Sequence, residues 1–95
     1  MRLRVKDWFH AKKMQEKGRD VINNPVFAIL GETEKAYKVF IADTIEYVTY
    51  WCPKSCVTEV PNWGKYGVSH RETLTDVSFE EVLKMWKSEN LVITV

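Results

Sequence analysis

The sequence predicts an α+β fold: a small antiparallel, SH3-like curled sheet or partial barrel with an N-terminal and a C-terminal helix. Three observations predict it. Between residues 26 and 60 the apolar side chains fall in runs too short for helices and separated by turn signals. The strands so defined carry apolar groups on both faces, which suits a curled sheet better than a flat one with a wet face. An aromatic strand containing Tyr47, Tyr50 and Trp51 then runs into a turn at Pro53-Lys54-Ser55 and a short segment over residues 56–60, an order that matches the end of an SH3-like barrel.

The elements follow in chain order. Residues 1–6 start as a strand, with Leu3 and Val5 facing one way and the basic residues the other. Asp7 is placed to cap a helix over residues 8–17, which Gly18 ends in the left-handed conformation. Trp8, Phe9, Ala11 and Met14 are assigned to the inner side of this helix, and Lys12, Lys13, Glu16 and Lys17 to solvent. Asn23-Asn24-Pro25 signals a turn before a buried strand over residues 26–30. A polar turn at residues 31–34 leads to a strand over residues 36–42, with Tyr37, Val39 and Ile41 on one face and Lys38 and Phe40 on the other. Asp43-Thr44 reverses the chain into a strand over residues 45–52, which Pro53 stops. Residues 61–76 form a long loop with little pattern. Ser78-Phe79-Glu80-Glu81 is a capping box that opens a helix over residues 79–88, with Phe79, Val82, Leu83 and Trp86 inward. Asn90 ends it, and residues 91–95 are assigned to a closing strand.

A chain of 95 residues is expected to form one domain over residues 1–95, with a single core. An apolar fraction of 45% with 28% charged residues excludes a disordered composition. The net charge of +1 supplies no global field for nucleic acid, yet it is unevenly spread. Residues 1–20 carry seven basic and three acidic side chains, against seven and ten in the remainder, so the N-terminal segment is the basic patch candidate. With no apolar run of signal-peptide or membrane-spanning character, the chain is expected in the cytoplasm, with no membrane partner.

In a reducing compartment the two cysteines are thiols or metal ligands rather than a structural disulfide. Cys52 and Cys56 straddle a turn with the three-residue spacer of a zinc knuckle, and His10 and His70 complete a possible Cys2His2 set for one structural zinc ion. The other reading makes both cysteines packing residues and both histidines surface groups. Gly64-Lys65-Tyr66-Gly67 matches the backbone-clamping loop of KH domains, but a strand precedes it where that loop joins two helices. Trp63 and Tyr66, flanked by Lys65 and Arg71, form a candidate partner-binding loop, with Lys12 and Lys13 of the first helix as further candidates. No paired-carboxylate spacing, nucleophile elbow or phosphate loop is present, so no enzyme is expected.

Glu34-Lys35-Ala36 followed by Trp51-Cys52-Pro53-Lys54-Ser55 resembles small phage and mobile-element proteins of Gram-positive bacteria, in which a Glu-Lys-Ala strand pairs with one ending in Trp-x-Pro-Lys-Ser. The resemblance covers residues 26–60, and Cys52 and Cys56 depart from the aliphatic and polar residues expected there. The class includes anti-CRISPR proteins that block the effector nuclease of type II systems. It implies a non-enzymatic inhibitor or adaptor that binds a host defence protein. The alternative is a small nucleic-acid-binding module that uses the aromatic strand, Tyr47 and Tyr50 above all, with Trp63 and the basic N-terminal segment.

Overall fold

A computed structural model describes residues 2–60 and 72–93. Strand β1 (Arg2–Val5) alternates as its sequence demands, with Leu3 and Val5 buried. Helix α1 (Asp7–Glu16) follows at once. Strands β2 (Val26–Glu32), β3 (Ala36–Ala42) and β4 (Tyr47–Pro53) form an antiparallel meander. A single 3₁₀ turn, Lys54–Cys56, passes the chain to β5 (Val57–Val60), which pairs antiparallel with β1 through Leu3↔Glu59 and Val5↔Val57. The Arg4↔Pro25 bridge joins β1 to the start of β2, so the strands curl into the SH3-like partial barrel that the aromatic strand and proline turn predict.

Local chemistry explains the turns. Asp43 Oδ1 accepts from the amides of Ile45 and Glu46, both at 2.8 Å, and holds the β3–β4 reversal. Thr33 Oγ1 accepts from the Ala36 amide at 3.1 Å in the β2–β3 turn. Gly18, at φ +66°, ends α1: its amide bonds the Gln15 carbonyl while Arg19 N–H reaches back to Met14, the paired bonds of a Schellman motif. At the other end Asp7 is the first helical residue and not the cap. Lys6 holds that position without a side-chain bond, and the Asp7 carboxylate accepts instead from Asn24 at 2.8 Å and Arg4 at 3.0 Å.

Inside the barrel, Val5, Met14, Val39, Ile41, Val48 and Cys52 belong to one buried cluster that α1 helps to close with Phe9. A second cluster lies on the opposite face of the meander, where α2 (Phe79–Ile93) lays Val82, Leu83 and Trp86 on Ala28 and Phe40. The second helix therefore accounts for much of the two-faced apolarity read as curling. Phe40 stacks on Tyr47 at 4.9 Å, Trp86 meets Tyr47 edge-on at 5.3 Å, and the Trp86 indole N–H donates to the Asp43 carbonyl at 2.7 Å. Ser78 caps α2 through the Glu81 amide at 3.2 Å, as the capping box requires.

Three differences from expectation bear on the architecture. Helix α2 runs through Asn90 to Ile93, where a closing strand was expected. Asn is a tolerable helix residue, no Gly or Pro follows it, and the edge of β2 is taken by Leu74 in a parallel bridge to Ala28. Leu74 and its neighbour Thr73 were assigned to a featureless loop. They stitch the barrel instead, the Thr73 hydroxyl accepting from Leu3 N–H and donating to the Val26 carbonyl, both at 2.8 Å. Pro53 is the last residue of β4 rather than its stop, and is tolerated because, among the described residues, β4 pairs with β3 alone and leaves its other edge free.

Candidate functional site

Helix α1 decides where the protein presents chemistry. At 100° per residue, Phe9, His10 and Met14 share one side, and all three are buried. Trp8, Ala11, Lys12 and Gln15, at spacing i, i+3, i+4 and i+7, share the other side, and all four are exposed. Trp8 was expected to face inward. Trp8 is 61% exposed, and its ring meets Phe9 edge-on at 5.7 Å between ring centres. Treating His10 as a polar surface group hid this orientation; counted as a core residue it turns the helix by about a third of a revolution and leaves Trp8 outside.

His10 is fully buried rather than on the surface. Its Nδ1 lies 2.8 Å from the Tyr50 hydroxyl, and its Nε2 accepts from the Ile22 amide at 3.4 Å. An N–H aimed at Nε2 makes that atom the acceptor, so the neutral ring carries its proton on Nδ1 and donates it to Tyr50. Burial holds the imidazole pKa below its ordinary value, against the opposing pull of the Asp7 carboxylate. Burial also raises the Tyr50 pKa, with the Cys52 sulfur adding to it, so the phenol stays protonated.

Both cysteines are free and buried, Cys52 in β4 and Cys56 as the last residue of the 3₁₀ turn. Burial and the neighbouring Cys56 push the Cys52 thiol up to about 12. Among the described residues no three metal-binding side chains come together. Of the expected zinc set, Cys52, Cys56 and His10 are described and His70 lies outside the described residues; His10 spends both ring nitrogens on Tyr50 and Ile22, so it offers no lone pair to an ion shared with the cysteines.

The expected partner-binding residues divide likewise. Trp63, Lys65, Tyr66 and Arg71 lie outside the described residues. Lys12 sits on the outer face of α1 one turn from Trp8, whereas Lys13 bends over the Phe9 ring at 5.6 Å and pairs with Glu16 at 3.4 Å. Tyr50 faces the barrel interior and Tyr47 is sandwiched by Phe40 and Trp86, so neither is an open stacking platform for bases. Trp51 is the aromatic that β4 leaves exposed, at 46%, beside Gly31. The Glu-Lys-Ala and Trp-x-Pro-Lys segments are neighbours, with Ala36 paired to Pro53 and Lys54 N–H donating to the Lys35 carbonyl at 2.8 Å.

No helix among the described residues is long and apolar enough to cross a membrane. No protein-family model, curated protein or solved structure matches the chain.

Proposed function

We propose that this chain is a non-enzymatic inhibitor or adaptor of the phage type that acts in the host-cell cytoplasm by binding a host defence protein. The effector nuclease of a type II CRISPR system is the first candidate. The observation that carries the reading is Trp8: a tryptophan 61% exposed on a helix whose other face is locked into the barrel core by Phe9, His10 and Met14. A large aromatic held rigidly outward loses little entropy on binding, and tryptophan is enriched among the residues that dominate protein interfaces. Its neighbours Ala11, Lys12 and Gln15 make a shallow face on which a partner can close.

The nucleic-acid reading is the weaker one, because Tyr47 and Tyr50 are covered by their own fold. The test is a binding and cleavage assay with purified type II effector nucleases, run with wild-type protein and Trp8→Ala. Binding and inhibition that are both lost in the variant support the proposal. Absence of binding to any such nuclease, with and without guide RNA, removes the CRISPR candidate.

A further inference from the structure

The open edge of β4 fits a second copy of this chain: we infer that two molecules join their meanders edge to edge, β4 against β4, about a two-fold axis at Thr49. Two hydrogen bonds bracket the β3–β4 ladder, Lys54 N–H to the Lys35 carbonyl at 2.8 Å and Asp43 N–H to the Glu46 carbonyl at 3.0 Å. They fix which way each backbone group faces. Val48, Tyr50 and Cys52 turn their amides and carbonyls toward Ile41, Val39 and Tyr37. Tyr47, Thr49 and Trp51 therefore turn theirs away from β3, where no hydrogen bond to them is made among the described residues. The row ends at Pro53, whose carbonyl accepts from the Cys52 thiol at 3.5 Å.

The other strand edges are covered or blunted. Leu74 bonds both ways along β2, accepting from Ile29 at 2.8 Å and donating to the Phe27 carbonyl at 3.0 Å. Strand β5 is short and carries the charge of Glu59. Strand β4 has neither device: no charged side chain stands between Tyr47 and Cys52, and its pairing with β3 runs without a register shift. It is also its own complement. Paired antiparallel about Thr49, it sets Trp51 opposite Tyr47 of the second copy and Thr49 opposite itself, an aromatic pair on each side of a threonine pair. All of these side chains lie on the α2 side of the sheet, while Val48 and Tyr50 stay buried on the barrel side. Glu46 and Lys54 fall outside the paired stretch, so no like charges meet. This side-chain symmetry favours a second copy over an unrelated extended segment.

The test is sedimentation equilibrium of the full chain from about 10 µM to about 1 mM, a range suited to a contact as small as one strand pair. The weight-average mass should rise from one chain toward two. Thr49→Pro removes only an outward N–H, and Thr49→Lys sets like charges across the axis; each should weaken association at least about tenfold. Lys84→Glu, exposed on α2, should leave it unchanged. If Thr49→Pro loses its cooperative melt, Thr49→Lys carries the comparison. Under mild oxidation Thr49→Cys should cross-link two chains and Lys84→Cys should not, because directly opposed Cα atoms of a hydrogen-bonded pair lie about 5.5 Å apart, within disulfide reach. Amide exchange at Tyr47, Thr49 and Trp51 should slow at least about fivefold between the lowest and highest concentrations. A single-chain mass at every concentration, association indifferent to both Thr49 variants, or a dimer in which those three amides exchange as fast as in the monomer would each overturn the inference.

Discussion

Tyr50→Phe removes a single oxygen from the barrel core and tests how α1 is held. The Tyr50 hydroxyl accepts the His10 Nδ1 proton at 2.8 Å, and the Ile22 amide occupies Nε2, so the variant takes from a buried N–H its acceptor among the described residues. The phenylalanine ring keeps the contacts to Phe9 at 6.1 Å and to His10 at 5.9 Å, so packing changes little. Leaving a buried donor unmade costs about 1–3 kcal/mol, which lowers the melting temperature of a domain this size by about 5–20 °C. His10→Phe should cost a similar amount, and the double variant should fall short of the summed losses by about 1 kcal/mol, because each change removes the same bond.

The pH profile supplies an independent reading. Burial depresses the folded-state pKa of His10 below the reference of 6.5, so the unfolded chain binds more protons between the two values. Stability from this group is therefore complete above pH 6.5 and lost as pH falls toward the folded pKa, at up to about 1.4 kcal/mol per pH unit. Urea unfolding from pH 5 to 8 should show this acid slope in wild type and a shallower one in His10→Phe. A Tyr50→Phe variant that melts within about 1 °C of wild type at pH 7.5, together with an unchanged acid slope in His10→Phe, would refute the buried donor–acceptor account.

Other perturbations probe the remaining joints. Phe40→Ala should cost about 3–5 kcal/mol and expose Trp86 to fluorescence quenchers, since Phe40 is fully buried under α2 and touches the rings of Phe27, Tyr47, Phe79 and Trp86. Trp86→Phe keeps most of that packing but loses the 2.7 Å bond to the Asp43 carbonyl, so chemical denaturation should read a smaller loss, about 1–2 kcal/mol. Gly18→Ala places a Cβ at φ +66° and should destabilise by about 1 kcal/mol, although the space around it is open. Iodoacetamide at pH 8 should label Cys52 far more slowly in the native protein than in urea, because the thiol is buried with its pKa near 12; equal rates would contradict that burial.

Much of the local structure was legible in the residues. The alternation of β3 and β4, the Asp43 reversal, the Gly18 stop and the Ser78 cap each depend on side chains within a few positions of the backbone they organise. The candidate site was legible only in part. Lys12 was found because a helix-surface lysine needs no partner, while Trp8 was missed because an aromatic at the start of an amphipathic helix is ordinarily core. The signal that could have found it is the i, i+4 pair of His10 and Met14, which defines an inner face once histidine is allowed inside.

What the chain determines by itself is therefore its short-range geometry and the apolarity of both faces of its meander. What only the tertiary structure decides is which groups those faces meet. His10 enters the core because Tyr50, forty positions later, accepts its proton, and Asp7 leaves the cap because Asn24 and Arg4 offer it better donors. Helix α2 continues past Asn90 while Leu74 holds the strand edge it would otherwise have filled. Each outcome is a competition for hydrogen bonds or burial between residues far apart in sequence, and the winner rotates α1 to leave Trp8 in water.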